Sequence, residues 1–407
     1  MTIDTAVRMV SAPVNTTRTE SSVANPYSLE RVRALAPIVE KWRDTGERER
    51  HLPRPVFDAL RDADILQMST PRSVNGAEVD EATAVLVVEE LSRQDGSVGW
   101  NVMVASNTAT IASYLPTAGL REVYRGGPSA IIAGALLPKG AASPVPGGYR
   151  LTGRWTMASG CHQADWLVAC STVMNDGSPR TRADGKPEVR TFFVPMTECR
   201  IIDTWYTTGL RATGSHDCEV TDVFVPESRT FQVVFAGNRE PGTLLVMDFA
   251  AYAVARVAAV ALGIARDAIE SFVALARTKT PAAGTSTLAT QHTTHARVGR
   301  AEAMLRAGRA LLNETVRAIS YTPTWSVPLS DEDRAAIRLA GAHAAQSAVE
   351  VVDIMFGAAG TTGIYATSRL DRCFRDVHVA AQHINVAPSN IEMAGQFLLG
   401  LGLPFRR

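Results

Sequence analysis

The hydrophobic pattern of this chain changes its period twice, and no other feature constrains the fold as strongly. Apolar residues recur with the period of a helix between residues 27 and 127. Between 128 and 240 they instead form short β-rich runs that are separated by Gly, Pro, Asn and Asp. Long helical runs return from 241 to 407. This order predicts an α+β chain with three domains at these boundaries, after a Thr/Ser-rich flexible tail at residues 1–26.

The middle zone predicts a small antiparallel β barrel or sandwich, because its short runs follow one another without an intervening helix. In the last zone, the segments from about Leu244 to Lys279, Thr290 to Ser320, Asp331 to Phe356 and from Leu370 onward predict a four-helix bundle. Apolar residues occur on more than one face of the first of these helices. We therefore expect a second bundle to cover it in a homo-oligomer.

The charge balance and the cysteines exclude several classes of protein. Basic and acidic residues number 41 each, whereas a general nucleic-acid or membrane-surface binder needs a basic excess. The five cysteines are widely spread and form no CxxC pair, which excludes a dense disulfide framework and favours a reducing cytoplasm. The longest apolar run, Phe249–Ile264, is interrupted by Arg256 and is shorter than the roughly 20 residues of a membrane span. We predict a cytoplasmic protein that binds neither nucleic acid nor membrane.

Common catalytic and nucleotide-binding signatures are missing from the sequence. There is no GxGxxG after a strand, no GxxxxGK[ST], no HExxH and no GxSxG. His292 and His295 stand close together on a predicted helix, but no third ligand has a matching spacing. We interpret them as exposed helix histidines and predict no metal site.

Three stretches are informative in combination: GGYRLTGRWTMASGCHQADW (147–166), WYTTGLRATGSHDCEVTDVFVP (205–226) and GAAGTTGIYATSRLDRCFRDVHVAAQHINVAPSNIEMAG (357–395). Taken singly, they suit a hairpin with a core tryptophan, a loop entering an edge strand, and a helix break. In this order and layout they closely resemble the acyl-CoA dehydrogenase superfamily over residues 28–402. The resemblance implies an N-terminal helical domain, a central β domain and a C-terminal four-helix bundle, assembled as a tetramer. It also implies a flavin between the β domain and the bundle.

The position of the catalytic base separates the branches of that superfamily. Dehydrogenases abstract a proton with a glutamate about eight residues after the Arg–Asp pair of the last stretch, where this chain has Ile384. Some members carry the glutamate on the first bundle helix instead, but residues 249–256 contain no carboxylate. Without that base, proton abstraction loses a contribution of about 10²–10⁴ in rate.

The QHINV segment and the Ser–Gly pair after the tryptophan strand instead resemble the flavin-dependent monooxygenase branch, the group D oxygenase components of two-component systems. The resemblance implies that reduced flavin, FMNH2 or FADH2, comes from a separate reductase by diffusion. Its reaction with O2 forms a C4a-(hydro)peroxyflavin, which hydroxylates an aromatic or amine-bearing small molecule. Two alternatives remain: an FAD-dependent acyl-CoA dehydrogenase or oxidase with an atypical base, and a non-catalytic flavin-binding scaffold.

By position in that branch, His383 and Ser159 are the candidate catalytic residues. Histidine titrates near neutral pH, so it can protonate the activated oxygen or activate a phenol or amine. A serine hydroxyl can donate a hydrogen bond to flavin N5 or accept one from it. The alternatives are a core histidine bonded to backbone and an ordinary turn serine.

The resemblance also places the remaining contacts of flavin and substrate. Arg277 and Lys279 close the first long bundle helix, where a phosphate-binding cation is common, although a solvated helix end favoured by the helix dipole is an equal alternative. The other candidate flavin contacts lie in two loops: Trp205, Arg211, Thr213 and Ser215 in the first, and Gly360, Thr361 and Thr362 in the second, the last three reaching a neighbouring subunit's flavin. The candidate substrate contacts are three amides: Asn101, Asn107 and Asn385.

Overall fold

The computed structural model describes residues 27–232, 249–282, 284–320 and 329–403. Within them, six helices precede the sheet: α1 (Leu29–Arg33), α2 (Ala36–Glu49), α3 (Arg54–Asp62), α4 (Glu81–Gln94), α5 (Gly96–Ala112) and α6 (Thr117–Val123). Five more follow it: α7 (Phe249–Thr278), α8 (His292–Ser320), α9 (Asp331–Ala359), α10 (Arg369–Ala380) and α11 (Ser389–Leu398). The predicted tail and the predicted helix start at Leu244 lie outside the described residues.

Side-chain caps begin three of the six described helices of the first zone, namely α1, α4 and α5. Ser28 caps α1, and Asp80 caps α4 by accepting a hydrogen bond from the Thr83 amide at 2.9 Å. Asp95 ends α4 and starts α5, because its extended backbone breaks the helix while its carboxylate accepts from the next amides. Helix α5 is buried along nearly its whole length, since it runs between α4, α7 and the sheet.

The middle zone forms one eight-stranded sheet, whose strands are β1 (Ile132–Val145), β2 (Gly148–Trp155), β3 (Trp166–Asn175), β4 (Ser178–Pro179), β5 (Val189–Pro195), β6 (Arg200–Ile202), β7 (Asp217–Pro226) and β8 (Thr230–Gln232). The strand order is β6-β7-β2-β1-β3-β5-β8, with β4 paired to β3. The expected antiparallel pairing is confirmed with one exception, because β1 and β3 run parallel. The chain reverses after β1 to form β2, and β3 then lies on the other side of β1 in the same direction as β1.

Trp155 forms the predicted aromatic core of this sheet. Its side chain is 1% exposed, and its indole N–H donates to the Cys170 carbonyl at 2.7 Å. The ring lies on the backbone of Gly140 and Gly153, where a Cβ atom would come within 3 Å of it. These two positions therefore require glycine, because any larger residue would displace the indole.

The helices of the last zone pack on each other and on the first zone. Helices α7, α8 and α9 contain 30, 29 and 29 residues, and the shorter α10 takes the fourth position of the bundle against α7 and α9. Helix α7 has apolar residues on more than one face, as predicted, but α4, α5, α9 and α10 of the same chain cover it. The helix therefore needs no second bundle to bury it, because a single chain already does so.

Candidate functional site

Both candidate catalytic residues, Ser159 and His383, contact the indole of Trp100 on α5. Its Nε1–H donates to the Ser159 hydroxyl at 3.1 Å. Its ring also makes an edge contact with the imidazole of His383, with ring centres 5.6 Å apart. Sequence reasoning missed Trp100, although it ends the DGSVGW segment in which α4 gives way to α5.

Ser159 lies in a strained turn between β2 and β3. Met157 has a left-handed backbone with φ 59°, and its carbonyl accepts from the Ser159 amide at 3.0 Å. The neighbouring amides attach the turn to the loop before β7: Ala158 donates to the His216 carbonyl and Gly160 to the Thr213 carbonyl, both at 2.9 Å. The position of Ser159 is thus determined by a loop more than 50 residues further along the chain.

Three hydroxyl groups form a continuous row of hydrogen bonds behind Trp100. Ser159 Oγ lies 2.6 Å from Ser215 Oγ, and Ser215 Oγ lies 2.7 Å from Thr213 Oγ1. Thr213 Oγ1 donates to the Leu210 carbonyl at 2.8 Å. All three hydroxyl-bearing residues are buried. We call the row Trp100–Ser159–Ser215–Thr213–Leu210 the hydroxyl chain.

The far end of the hydroxyl chain is anchored on α10. Leu210 adopts a left-handed backbone with φ 49°, and its amide donates to Asp376 Oδ1 at 2.6 Å. Burial, followed by repulsion from Asp95, raises the pKa of Asp376 to about 7. The Leu210 carbonyl also accepts from the Trp205 indole at 3.1 Å. Trp205 therefore supports the loop in which it lies.

Arg211 serves the same loop rather than the hydroxyl chain. Its guanidinium donates to the Thr207 carbonyl at 3.0 Å and to the Glu47 carbonyl at 3.2 Å. These two bonds join the loop to itself and to α2. The structure thus brings Thr213 and Ser215 into one row of hydrogen bonds with Ser159. Trp205 and Arg211 instead form hydrogen bonds that support the loop in which Thr213 and Ser215 lie.

His383 lies in the turn after α10, and its surroundings determine its protonation. The amide of Asn385 donates to Nδ1 at 3.3 Å, so Nδ1 carries a lone pair. Burial lowers the pKa of the imidazole to about 4, so the ring is neutral at physiological pH. The remaining proton of the neutral ring is therefore on Nε2, which has no hydrogen-bond partner among the described residues. His383 thus presents a donor, not a base.

Exposed apolar side chains adjoin both candidate catalytic residues. Met157, two residues before Ser159, is 54% exposed, and Ile384, directly after His383, is 76% exposed. Each catalytic candidate therefore has an exposed apolar neighbour in the chain. Ile384 also occupies the position of the dehydrogenase glutamate. Its alkyl side chain cannot abstract a proton, so this position supplies no catalytic base.

Two of the three candidate substrate amides are engaged within the protein. Asn101 Nδ2 donates to the Ser97 carbonyl at 2.9 Å and to the Ala212 carbonyl at 3.3 Å. Asn107 Oδ1 accepts from Arg256 at 3.3 Å, and its Nδ2 faces the sulfur of a methionine one turn away on α5. The backbone of Asn385 positions His383, and its half-buried side chain makes no hydrogen bond to the described residues.

Arg256 and Glu81 form a buried ion pair next to Asn107. Arg256 is completely buried, and its Nε and Nη2 both donate to the Glu81 carboxylate, the shortest distance being 2.6 Å. Burial raises the pKa of Glu81 above its ordinary value, although attraction to Arg256 opposes that change. Sequence reasoning treated Arg256 only as an interruption of an apolar run, because its partner is 175 positions away.

A second group of candidate flavin contacts lies at the end of α9. Lys279 Nζ donates to the Ala359 carbonyl at 2.6 Å, next to the turn formed by Gly360, Thr361 and Thr362. Gly360 has φ 58° and ends the helix. Arg277 is exposed. The structure thus joins Lys279 to this turn, and no hydrogen bond between described residues links the turn to the hydroxyl chain. We call Lys279 and residues 360–362 the distal cluster.

Neither a metal centre nor a membrane span is found in the described residues. No group of three His, Cys, Asp or Glu side chains among them could hold a metal ion. No helix within the same ranges is both long and apolar enough to cross a membrane.

Two family models match this chain, namely the acyl-CoA dehydrogenase N-terminal domain over residues 32–123 and the C-terminal domain over residues 255–388. Indole-3-acetate monooxygenase from Pseudomonas putida is 31% identical over 87% of this chain and 89% of its own length. The oxygenase component of the FADH2-dependent resorcinol hydroxylase from Rhizobium sp. (strain MTP-10005) is 26% identical, over 91% of this chain and 93% of its own.

The fold has a close counterpart among solved structures. XiaF from Streptomyces sp., in complex with FADH2 and glycerol, superimposes with a TM-score of 0.85 and 28% sequence identity. The superposition covers 93% of this chain and 96% of XiaF. The matches span both helical zones and the sheet between them, so they bear out the resemblance inferred from the three sequence stretches. The chain belongs to the acyl-CoA dehydrogenase superfamily, within its branch of flavin-dependent monooxygenases.

Proposed function

We propose that this chain is the oxygenase component of a two-component monooxygenase that uses reduced flavin and O2 to hydroxylate an aromatic small molecule. The observation that carries the proposal is the meeting of Ser159 and His383 on Trp100, beside the exposed Met157 and Ile384. Convergent polar groups with apolar side chains close to them in the chain suit the flat, polar-edged ring of a flavin. A separate reductase supplies the reduced flavin, and the indole-3-acetate and resorcinol enzymes support an aromatic substrate.

Each catalytic candidate has a distinct task in this proposal. When bound, the reduced flavin supplies the electrons that activate O2. Ser159 would hold the flavin at N5, and the Trp100 indole positions the serine oxygen for that contact by donating a hydrogen bond to it. His383 donates a hydrogen bond from Nε2 to the reacting oxygen or to the substrate, because Nδ1 is already occupied by the Asn385 amide. Asn385 is the remaining candidate for a substrate contact from its side chain.

We propose further that the chain forms a homotetramer in which the distal cluster contacts the flavin of a neighbouring subunit. The ammonium of Lys279 and the small residues of the turn offer a cation and donors to a flavin phosphate of a neighbouring subunit. Ile364 and Tyr365 directly follow this turn and are 64% and 65% exposed, which supports their burial against another copy. Sedimentation tests the assembly, and a 43.7 kDa monomer at micromolar concentration would contradict it.

The test of the catalytic proposal compares two substitutions of His383. His383→Gln keeps an N–H donor near the position of Nε2, whereas His383→Ala removes it. Purified protein is mixed with reduced flavin, an aromatic substrate such as indole-3-acetate, and air, and product and H2O2 are measured per flavin oxidised. We expect His383→Ala to lower the product yield by about 10²-fold, and His383→Gln to retain an intermediate yield.

His378→Gln is the matched control, because His378 lies on the same α10 and contacts Asp353 on the surface. It should behave as the wild type. Equal loss in His383→Gln and His383→Ala would contradict the donor role of His383. If the wild type forms no hydroxylated product from any substrate in an aromatic panel while it oxidises reduced flavin, the proposed function itself is wrong.

A further inference from the structure

The hydroxyl chain has only one possible direction of hydrogen bonding. The Leu210 carbonyl can only accept, so the single hydroxyl proton of Thr213 points to it. Contacts of 2.6–2.7 Å between hydroxyl oxygens each require a proton between them. The proton between Thr213 and Ser215 must therefore come from Ser215, and the proton between Ser215 and Ser159 must come from Ser159.

The other end of the hydroxyl chain agrees with this direction. The indole N–H of Trp100 can only donate, and it donates to Ser159 Oγ. Ser159 thus accepts from Trp100 and gives its only proton to Ser215. What remains on its oxygen is a lone pair, so toward any further group Ser159 acts as an acceptor alone.

A flavin changes its hydrogen-bonding character at N5 when it is reduced. Oxidised N5 carries a lone pair and only accepts, whereas reduced N5 carries a hydrogen and donates. An acceptor opposite N5 forms a hydrogen bond with the reduced flavin. Opposite the oxidised flavin, the lone pair of the acceptor and the lone pair of N5 repel each other. We propose that the hydroxyl chain makes this site select reduced over oxidised flavin, with Ser215 and Thr213 as the positioning residues that direct the proton of Ser159 away from the flavin.

This inference rests on the proposed function, because it requires Ser159 to face N5. It also gives the buried Ser215 and Thr213 a task that differs from the direct flavin contact expected from sequence. An oxygenase fed by a separate reductase benefits from such selection, since it must take up reduced flavin in competition with oxidised flavin and release the oxidised form after turnover.

The test measures binding alone. Dissociation constants for oxidised flavin and, under anaerobic conditions, for reduced flavin are determined by fluorescence or calorimetry, with FMN and FAD each used as probe. Ser215→Ala removes the acceptor of the Ser159 proton. Thr213→Val removes the acceptor of the Ser215 proton, so that Ser215 can donate to Ser159 instead. In both variants the Ser159 proton can turn toward N5. In the wild type, reduced N5 forms a hydrogen bond with Ser159 where oxidised N5 meets a lone pair, and the variants remove this difference. We therefore expect the ratio of the oxidised to the reduced dissociation constant to fall about tenfold or more in both variants.

Two further variants separate the possible outcomes. Ser171→Ala removes a buried serine on β3, outside the hydroxyl chain, and should keep the wild-type ratio. Ser159→Ala should also lower the ratio, because it removes the acceptor. If Ser159→Ala lowers the ratio while Ser215→Ala and Thr213→Val, both folded by circular dichroism, keep it, the directed hydroxyl chain is refuted and the proposed function stands. If Ser159→Ala leaves the binding of both redox forms unchanged, the placement of flavin at Ser159 is refuted as well.

Discussion

Removal of Arg256 should strongly destabilise this protein, because two buried groups depend on its charge and its donors. The guanidinium is fully buried and holds the Glu81 carboxylate with hydrogen bonds from Nε and Nη2. Its Nη1 also donates to Asn107 Oδ1 at 3.3 Å. Arg256→Met preserves much of the side-chain volume but leaves a buried carboxylate without its cation and a buried amide oxygen without its donor.

The magnitude follows from these lost partners. Breaking a buried ion pair by removing one member costs about 3–5 kcal/mol, and a buried acceptor without a donor costs about 1–3 kcal/mol. The two losses share one guanidinium and do not simply add. We therefore expect the free energy of unfolding to fall by about 4 kcal/mol at neutral pH, with most of the effect from Glu81.

The same variant should become relatively more stable in acid. Burial already raises the pKa of Glu81 in the wild type, and loss of Arg256 raises it further. A carboxyl whose folded pKa exceeds its unfolded pKa binds more protons when folded, so stability falls as the pH rises between the two values. The deficit of Arg256→Met should therefore be smaller at about pH 5 than at about pH 8.

Urea denaturation followed by tryptophan fluorescence measures these differences. The double variant Glu81→Gln/Arg256→Met should recover most of the loss, because no buried charge remains. Arg317→Met, on an exposed face of α8, is the control and should change stability by about 0.5 kcal/mol or less. The reasoning is refuted if Arg256→Met unfolds within about 1 kcal/mol of the wild type, or if the double variant is as unstable as the single one.

Two further predictions concern the loop and the histidine of the site. A Cβ at Gly209 would lie 2.2 Å from the Arg375 carbonyl oxygen. Gly209→Ala should therefore displace the loop from α10, lower the melting temperature and weaken flavin binding. An unchanged melting temperature and unchanged flavin binding would contradict this. Because burial lowers the pKa of His383 to about 4, hydroxylation should show no ionisation of this group between about pH 6 and pH 8. A step in that range that disappears in His383→Gln would show that the histidine titrates there.

Short-range patterns in the sequence were enough to predict the order of the elements and the branch of the family. The caps at Ser28 and Asp80 and the strand runs depend on contacts a few residues apart, so they can be recognised directly. Ile384 could be recognised in the same way, since the position of the missing base is counted along the chain from a nearby motif. The resemblance to the monooxygenase branch predicts Ser159 and His383 in the same way, by their positions relative to its motifs.

Only the tertiary structure decides which distant residues share a contact. Alternating apolar residues predict a strand but not its neighbour, and the parallel pairing of β1 with β3 could not be seen. The apolar pattern of α7 shows that the helix is buried, but the same pattern results whether another chain or this chain covers it. Trp100 joins Ser159 across 59 positions, and Arg256 joins Asn107 across 149. Such contacts form where separate segments pack, and packing depends on the shape of the whole fold, which no local pattern records.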